Sequence, residues 1–319
     1  MLETPLERHR RVRAASVETG HVMSRRRLAG LGVSAAQVRA QVQAGRWAVA
    51  GTQTISTRDA PLDDVAQRWR AVWEVGERIA LVDGASALIA AGLTGWSEDV
   101  VHVSVLHRHD IRLVSGVKVH KVIRRVDGEA AGAGVPRTTP AVAAVRAAHW
   151  AASDRAAATI MAMAVQQRLT TGAHLVAATQ QVPGRNRRAL VRRLALDIAD
   201  GAQSLGELDF AAACRRRGLP EPTRQVVRRL SSGRVYLDVC FEEHGLVVEI
   251  DGAGHGWGLA KVVDALRDND LVVRGERVLR VHVLGLRVAE DAFMDQVTAA
   301  LRSPWAQANL AARRSGSAG

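Results

Sequence analysis

Two runs in the last third of the chain, Val235–Phe241 and Leu246–Asp251, alternate with period two, as strands do, and Glu242-Glu243-His244-Gly245 joins them. If the connection takes two or four residues, Phe241 lies opposite Leu246 and the same register sets Asp238 opposite Glu249. Their Cβ atoms are then about 4.5–5.5 Å apart on one face. Glu249 and Asp251 share that face because strand side chains alternate. Three carboxylates converge, and Leu237, Val239, Val248 and Ile250 point the other way. Like charges set opposite one another destabilise a sheet. A divalent cation, Mg2+ or Mn2+, resolves the conflict by taking carboxylate oxygens and water. A three-residue loop would shift the register and separate Asp238 from Glu249. An idle, solvated acidic face is then the better reading, although carboxylates embedded in such apolar strands are poor candidates for one.

The flanking sequence reads as a small α/β domain. A helix over Leu205–Arg217 is closed by Gly218, weak alternation follows over Gln225–Leu230, and Ser231-Ser232-Gly233 makes a turn. Beyond the strand pair come a glycine-rich loop (Gly252–Gly258), a helix over about Leu259–Arg274 stopped by Gly275, a strand over Arg277–Leu284 and a helix over Glu290–Leu301.

Asp238…Glu249-Ile250-Asp251-Gly252…His255, followed by Asp264…Arg267-Asp268 and Val278-Leu279-Arg280, resembles the small restriction-endonuclease-fold proteins akin to very-short-patch repair endonucleases, within the PD-(D/E)xK group. The resemblance covers Ser204–Arg302. It implies that Asp238 is the central metal ligand and Glu249 the second acidic position. Asp251 stands where many members carry a lysine, and His255 replaces that lysine in proton transfer or in contact with the scissile phosphate. Glu207 matches a helix glutamate that joins the metal site. Read locally, Ser204-Leu205-Gly206-Glu207 is equally a capping box. Asp264, Arg267 and Asp268 share one side of the following helix, where surface ion pairing competes with DNA contact. The implied activity is a metal-dependent endonuclease or nickase that hydrolyses phosphodiester bonds in DNA. The missing lysine leaves a second reading, a non-catalytic DNA-binding regulator with a degenerate nuclease domain. RNA in place of DNA as the substrate is a third reading.

The N-terminal sixty residues carry helix-turn-helix punctuation. Ser24 is placed to cap a helix over Arg25–Leu31, Gly32 breaks it, and Ser34 caps a second helix from Ala35 to about Ala44, which Gly45 ends. Leu28, Leu31, Val38 and Val42 form the inward stripe, and Gln37, Arg39 and Gln41 are expected on the outer side. Arg46–Ile55 alternates like the hairpin of a winged helix. LAGLGVSAAQVRAQVQAGRW resembles the winged-helix domain of type IV abortive-infection antitoxins. Arg39, Gln41 and Arg46 are the candidate DNA contacts there.

Between these ends, helices are expected over Asp64–Glu77, from Thr139-Pro140 onward, over Ala156–Gln167 and over Ala189–Ala199, with an alanine-rich stretch at Ala80–Ala91 and strands at Val100–Leu106 and Val117–Ile123. His102, His107, His109 and His120 have no tight ligand spacing, so solvated or core histidines are the favoured reading. A basic run, Arg185, Arg187, Arg188, Arg192 and Arg193, continues through Arg215–Arg217, Arg224, Arg228, Arg229 and Arg234. Beside a carboxylate site it reads as a phosphate-binding rim, with Arg224, Arg228 and Arg229 as candidate DNA contacts.

Composition supports the anionic partner. The net charge is +12, although only three of the 44 basic residues are lysines. Aromatic residues make up 3%, which argues against a stacking platform for single strands. No 18-residue apolar run or signal-type N-terminus is present, and Cys214 and Cys240 form no disulfide framework, so a cytoplasmic protein with no membrane partner is expected. The expected fold class is α+β and multidomain: a winged helix-turn-helix over 1–60, a mixed, mainly helical α/β middle region over 61–200, a restriction-endonuclease-like α/β domain over 201–305 and a flexible tail over 306–319. A homodimer is compatible with the sequence.

Overall fold

The computed structural model describes residues 3–199, 203–230, 233–251, 277–282, 286 and 289–316. The chain is multidomain and mixes helices with small sheets. Two compact units comprise residues 1–150, 167–170 and 177–186, and residues 151–166, 171–176 and 187–319. No helix among the described residues is long and apolar enough to cross a membrane.

In the first unit, α1 (Pro5–Ala15) begins with Thr4 and Glu7 capping each other reciprocally and with Pro5 at the first helical position. β1 (Val22–Ser24) leads into α2 (Arg25–Gly30), whose Arg27 amide donates to Ser24 Oγ at 3.1 Å. α3 (Ala35–Gln43) opens on a second reciprocal box, in which Gln37 N donates to Ser34 Oγ and Ser34 N to Gln37 Oε1. Gly45, at φ 67°, turns the chain out of the helix. β2 (Ala48–Val49) and β3 (Thr54–Ser56) follow, and the three strands pair antiparallel in the order β1-β3-β2. Val12, Met23, Leu28, Val33, Val38, Trp47 and Ile55 form the core of this subdomain. No helix is expected from the sequence over α1, yet Val12 fills the core from it.

α4 (Asp64–Val75) is capped by Asp63, whose Oδ1 accepts from Ala66 N at 2.9 Å. β4 (Leu81–Val82), α5 (Gly84–Ala90), β5 (Val101–Leu106), β6 (Val117–Val122) and α6 (Pro140–Trp150) complete the unit's main elements. The sheet order is β4-β5-β6, with β5 and β6 parallel. A fully buried ion cluster ties these elements together. Arg146 of α6, 2% exposed, donates to Asp83 Oδ2 and Glu129 Oε2, both at 2.7 Å. Arg125 reaches the same Glu129 at 2.9 Å and also holds Ser104. Burial alone would raise the Glu129 carboxyl, but bonds from Arg146, Val126 N and Arg125 overcome it and hold the group below the usual carboxylate range.

α7 (Asp154–Gln166), α8 (Gly172–Gln181) and α9 (Arg188–Ala199) precede the second unit's sheet layer. That layer comprises α10 (Gln203–Arg216), β7 (Thr223–Leu230), β8 (Gly233–Phe241), β9 (Leu246–Asp251), β10 (Arg277–His282) and α11 (Glu290–Leu301). The strand order is β10-β9-β8-β7; β9 and β10 are parallel and the other pairs antiparallel. Phe210 and Cys214 of α10 and Met294, Val297 and Leu301 of α11 pack on Val239, Phe241, Leu246, Val248, Ile250 and Val281. Each large side chain buried there contributes about 1.5–3 kcal/mol. The expected loose tail at 306–319 is instead helical as far as Gly316: α12 spans Pro304–Gly316. Ser303 caps it, Pro304 opens it and Ala306 is fully buried. Its Trp305 lies under the Arg277 guanidinium at 4.8 Å, and Asn309 donates to the His244 carbonyl.

Candidate functional site

All four residues of the β8–β9 connection form the turn. Glu242–His244 make a single 3-10 turn, and Gly245, at φ 64°, accepts the left-handed conformation that closes it. A Cβ at Gly245 would also lie 2.9 Å from Asn309 Nδ2 and 3.2 Å from Trp305. Phe241 pairs with Leu246, Cys240 with Val247 and Val239 with Val248. The next residues along the two strands are Asp238 and Glu249. The three-residue loop that would have separated them is therefore excluded.

β9 lies between β8 and β10, where Glu249 takes the position beside Arg280 and Asp251 the position beside His282. Leu246, Val248 and Ile250 belong to the core shared with α10 and α11. By strand alternation Glu249 lies on the other face with Val247. That face is also closed: Val247, Cys240 and Glu249 are 0%, 1% and 4% exposed. A carboxylate so deeply buried is costly unless it is paired, hydrogen-bonded or bound to a metal.

The other candidates divide. Asp238 and Asp251 are on β8 and β9, Glu207 on α10, and Arg224, Arg228 and Arg229 on β7 opposite Val239, Val235 and Arg234; their side chains lie outside those described. α10 starts at Gln203, which puts Ser204 inside the first turn rather than at its cap. His255, Asp264, Arg267 and Asp268 lie outside the described residues. Among the described side chains, no three His, Cys, Asp or Glu groups gather closely enough to hold a metal ion, and Asp238 and Asp251 are not among them.

The basic run is partly spent. Arg215 pairs with Glu221, Arg216 with Glu290, and Arg217 with Asp291 and Asp295. Arg187 pairs with Asp154 at 2.6 Å. Arg188, Arg192 and Arg193 on α9 remain exposed.

In the N-terminal subdomain Arg39 is exposed on α3, but Gln41 is turned inward at 1% exposure, against the expectation that it lay on the outer side. Its Nε2 donates to the Pro5 carbonyl and its Oε1 accepts from Arg46 Nε, both at 2.6 Å. Gln41 therefore joins α1 to α3 and positions Arg46. The β2–β3 turn is held by a residue that sequence reasoning missed, Glu74 at the end of α4. Its carboxylate accepts from Thr52 N at 3.0 Å, Gln53 N at 2.8 Å and Thr54 Oγ1 at 2.7 Å. Arg70 and Arg25 bond the Ala50 and Thr52 carbonyls from either side. Nothing local to Glu74 announces this role, because its partners lie about twenty residues earlier.

The histidines of the middle region form a packed pair. His120 Nε2 and His102 Nδ1 are 3.1 Å apart, and the His120 ring stacks on Trp150 with centroids 3.6 Å apart. Burial first, then His102 and Lys118, push His120 down to about 3. Burial also lowers His102, against the opposing pull of Glu98.

No protein-family profile matches the chain, and no curated protein matches it.

Proposed function

We propose that the chain is a metal-dependent endonuclease or nickase acting on DNA, with a restriction-endonuclease-like domain of the PD-(D/E)xK type at its C-terminal end and a winged helix at its N-terminal end. The observation that carries the reading is the β8–β9 register. The paired stretch runs from Phe241 and Leu246 to Val239 and Val248, and Asp238 and Glu249 are the next residues along the two strands, with Glu249 buried and Asp251 two residues further along β9. Three hard carboxylate donors suit Mg2+ or Mn2+. When bound, such a cation supplies Lewis acidity toward the phosphodiester and lowers the pKa of water. The chain's own part is to hold Asp238, Glu249 and Asp251 on rigid strands, with β9 fixed on both sides, and to receive the DNA backbone on exposed arginines. Arg188, Arg192 and Arg193 of α9 are available for that, and Arg39 serves at the N-terminal end. The order helix, strand, helix, helix, strand, strand with sheet order β1-β3-β2 supports the winged-helix assignment.

A supercoiled-plasmid assay with Mg2+, Mn2+ or EDTA tests this directly. Wild type nicks DNA only with metal, and Asp238→Ala abolishes nicking while retaining binding. An inactive wild type that still binds DNA in a salt-sensitive way transfers the assignment to the second reading, a non-catalytic regulator. Asp251 in the place of the usual lysine is the feature that favours it.

A further inference from the structure

A cavity of about 420 Å³ lies behind the β2–β3 turn, lined by Ser24, Arg26, Gln53, Trp73, Glu74, Glu77, Arg78 and Ile79. Its volume falls within the range of small-molecule sites, roughly 300–1,000 Å³. The polar groups around it are unbalanced. Both acidic residues are committed: Glu74 to Thr52, Gln53 and Thr54, and Glu77 to Arg26 and Arg27 at 3.9 and 3.4 Å. The donors are not. Trp73 is 3% exposed, and its indole Nε1 is buried without a hydrogen-bond partner. Arg78 is exposed and forms no ion pair among the described residues, and Arg26 is held only at 3.9 Å. A buried donor without an acceptor costs about 1–3 kcal/mol, so a ligand that brings an acceptor to Trp73 recovers that energy. Trp73 and Ile79 add an apolar surface.

From this surplus of donors we infer that the cavity is a binding site for a small oxyanion, a phosphate monoester or carboxylate, held by the Trp73 indole N–H and the Arg78 guanidinium. Ser24 caps α2 and Gln53 stands in the turn that Glu74 clamps, so the occupant touches both the helical pair and the hairpin beside it. The site is independent of the carboxylate strands, and neither assignment depends on the other.

The test follows the Trp73 indole ¹H–¹⁵N resonance of the full chain, assigned among the seven tryptophans by its loss in Trp73→Phe. The probes are AMP, benzoate and inorganic phosphate. The expected result is a saturable downfield shift with at least one probe. Arg78→Ala then weakens the affinity about tenfold or more, the loss of one charge-assisted hydrogen bond. A response to AMP or phosphate identifies a phosphate ligand, and a response to benzoate alone identifies a carboxylate. A Trp73 resonance that none of the three moves, or a shift whose affinity Arg78→Ala leaves intact, overturns the site. Should Trp73→Phe not fold, all the indole resonances are followed together and the Arg78→Ala comparison decides alone.

Discussion

Phe241 on β8 stands directly opposite Leu246 on β9, joined by a turn that uses every one of the four residues between them. This pairing fixes which side chains of β9 enter the core, because a slip of one residue exchanges the two faces of a strand. Deleting Glu243, an exposed turn residue, would force either a slip or an unpaired end. The expected outcome is loss of metal-dependent nicking together with a lower melting temperature. Glu243→Ala, which keeps the length, should stay within about 0.5 kcal/mol of wild type. Equal behaviour of the deletion and the substitution would refute the register argument.

Glu249 is a buried carboxylate on β9, the strand that lies between β8 and β10. If it ligates a cation, the cation stabilises only the folded chain. At a hundredfold excess over its dissociation constant, Mg2+ should add about 2.7 kcal/mol to the unfolding free energy of the wild type. Glu249→Gln should lose most of this gain. Thermal melts with Mg2+ and with EDTA measure it, and a wild type indifferent to Mg2+ removes the metal from the site.

Glu74 holds the β2–β3 turn through two backbone amides and one hydroxyl. Glu74→Ala should cost roughly 1–3 kcal/mol, within the range for hydrogen bonds to a charged group at a partly exposed site. Its sharper signature is local. Amide exchange at Thr52 and Gln53 should accelerate while that of Val38, in the core of α3, stays slow. Unchanged protection at Thr52 and Gln53 would show that the turn keeps its shape without the clamp.

Arg146 separates two buried acids, Asp83 at 0% and Glu129 at 4% exposure. Arg146→Met keeps much of the volume, takes the cation from Asp83 and leaves Glu129 with Arg125 alone. The expected loss in urea unfolding is about 3–5 kcal/mol, the usual cost of removing one partner from a buried pair. A loss below about 1 kcal/mol, typical of exposed pairs, would mean that water reaches the cluster.

His120 sets a pH dependence whose sign follows from its environment. Its folded pKa is held down at about 3, while an unfolded histidine titrates near 6.5. The unfolded chain therefore takes up the proton first, and stability falls as pH falls. The contribution is complete above about pH 6.5 and is lost progressively toward pH 3. His120→Gln should flatten the change in unfolding midpoint between pH 7 and pH 4.5, and a variant as acid-sensitive as wild type would place the titrating group elsewhere.

The sequence by itself determined the elements whose signals act within a few residues. Ser24 and Ser34 cap α2 and α3, Pro140 opens α6, and Gly45 and Gly218 end helices at positive φ. The alternation of Val235–Phe241 and Leu246–Asp251 was enough to place Glu249 and Asp251 on one strand and Asp238 on its neighbour. These features are legible because a cap or a pleat is satisfied by atoms three or four positions away. Tertiary structure decided the rest. Gln41 reads as an outward polar residue of a helix, yet it faces inward because the Pro5 carbonyl, 36 positions earlier, and Arg46 both need it. The burial of Glu249, the clamp from Glu74 and the pairing of Asp83 with Arg146, 63 positions apart, are likewise contacts between distant segments. The rules of helix and strand do not encode which distant group arrives; packing of the assembled elements does, by forcing each buried polar atom to find its partner.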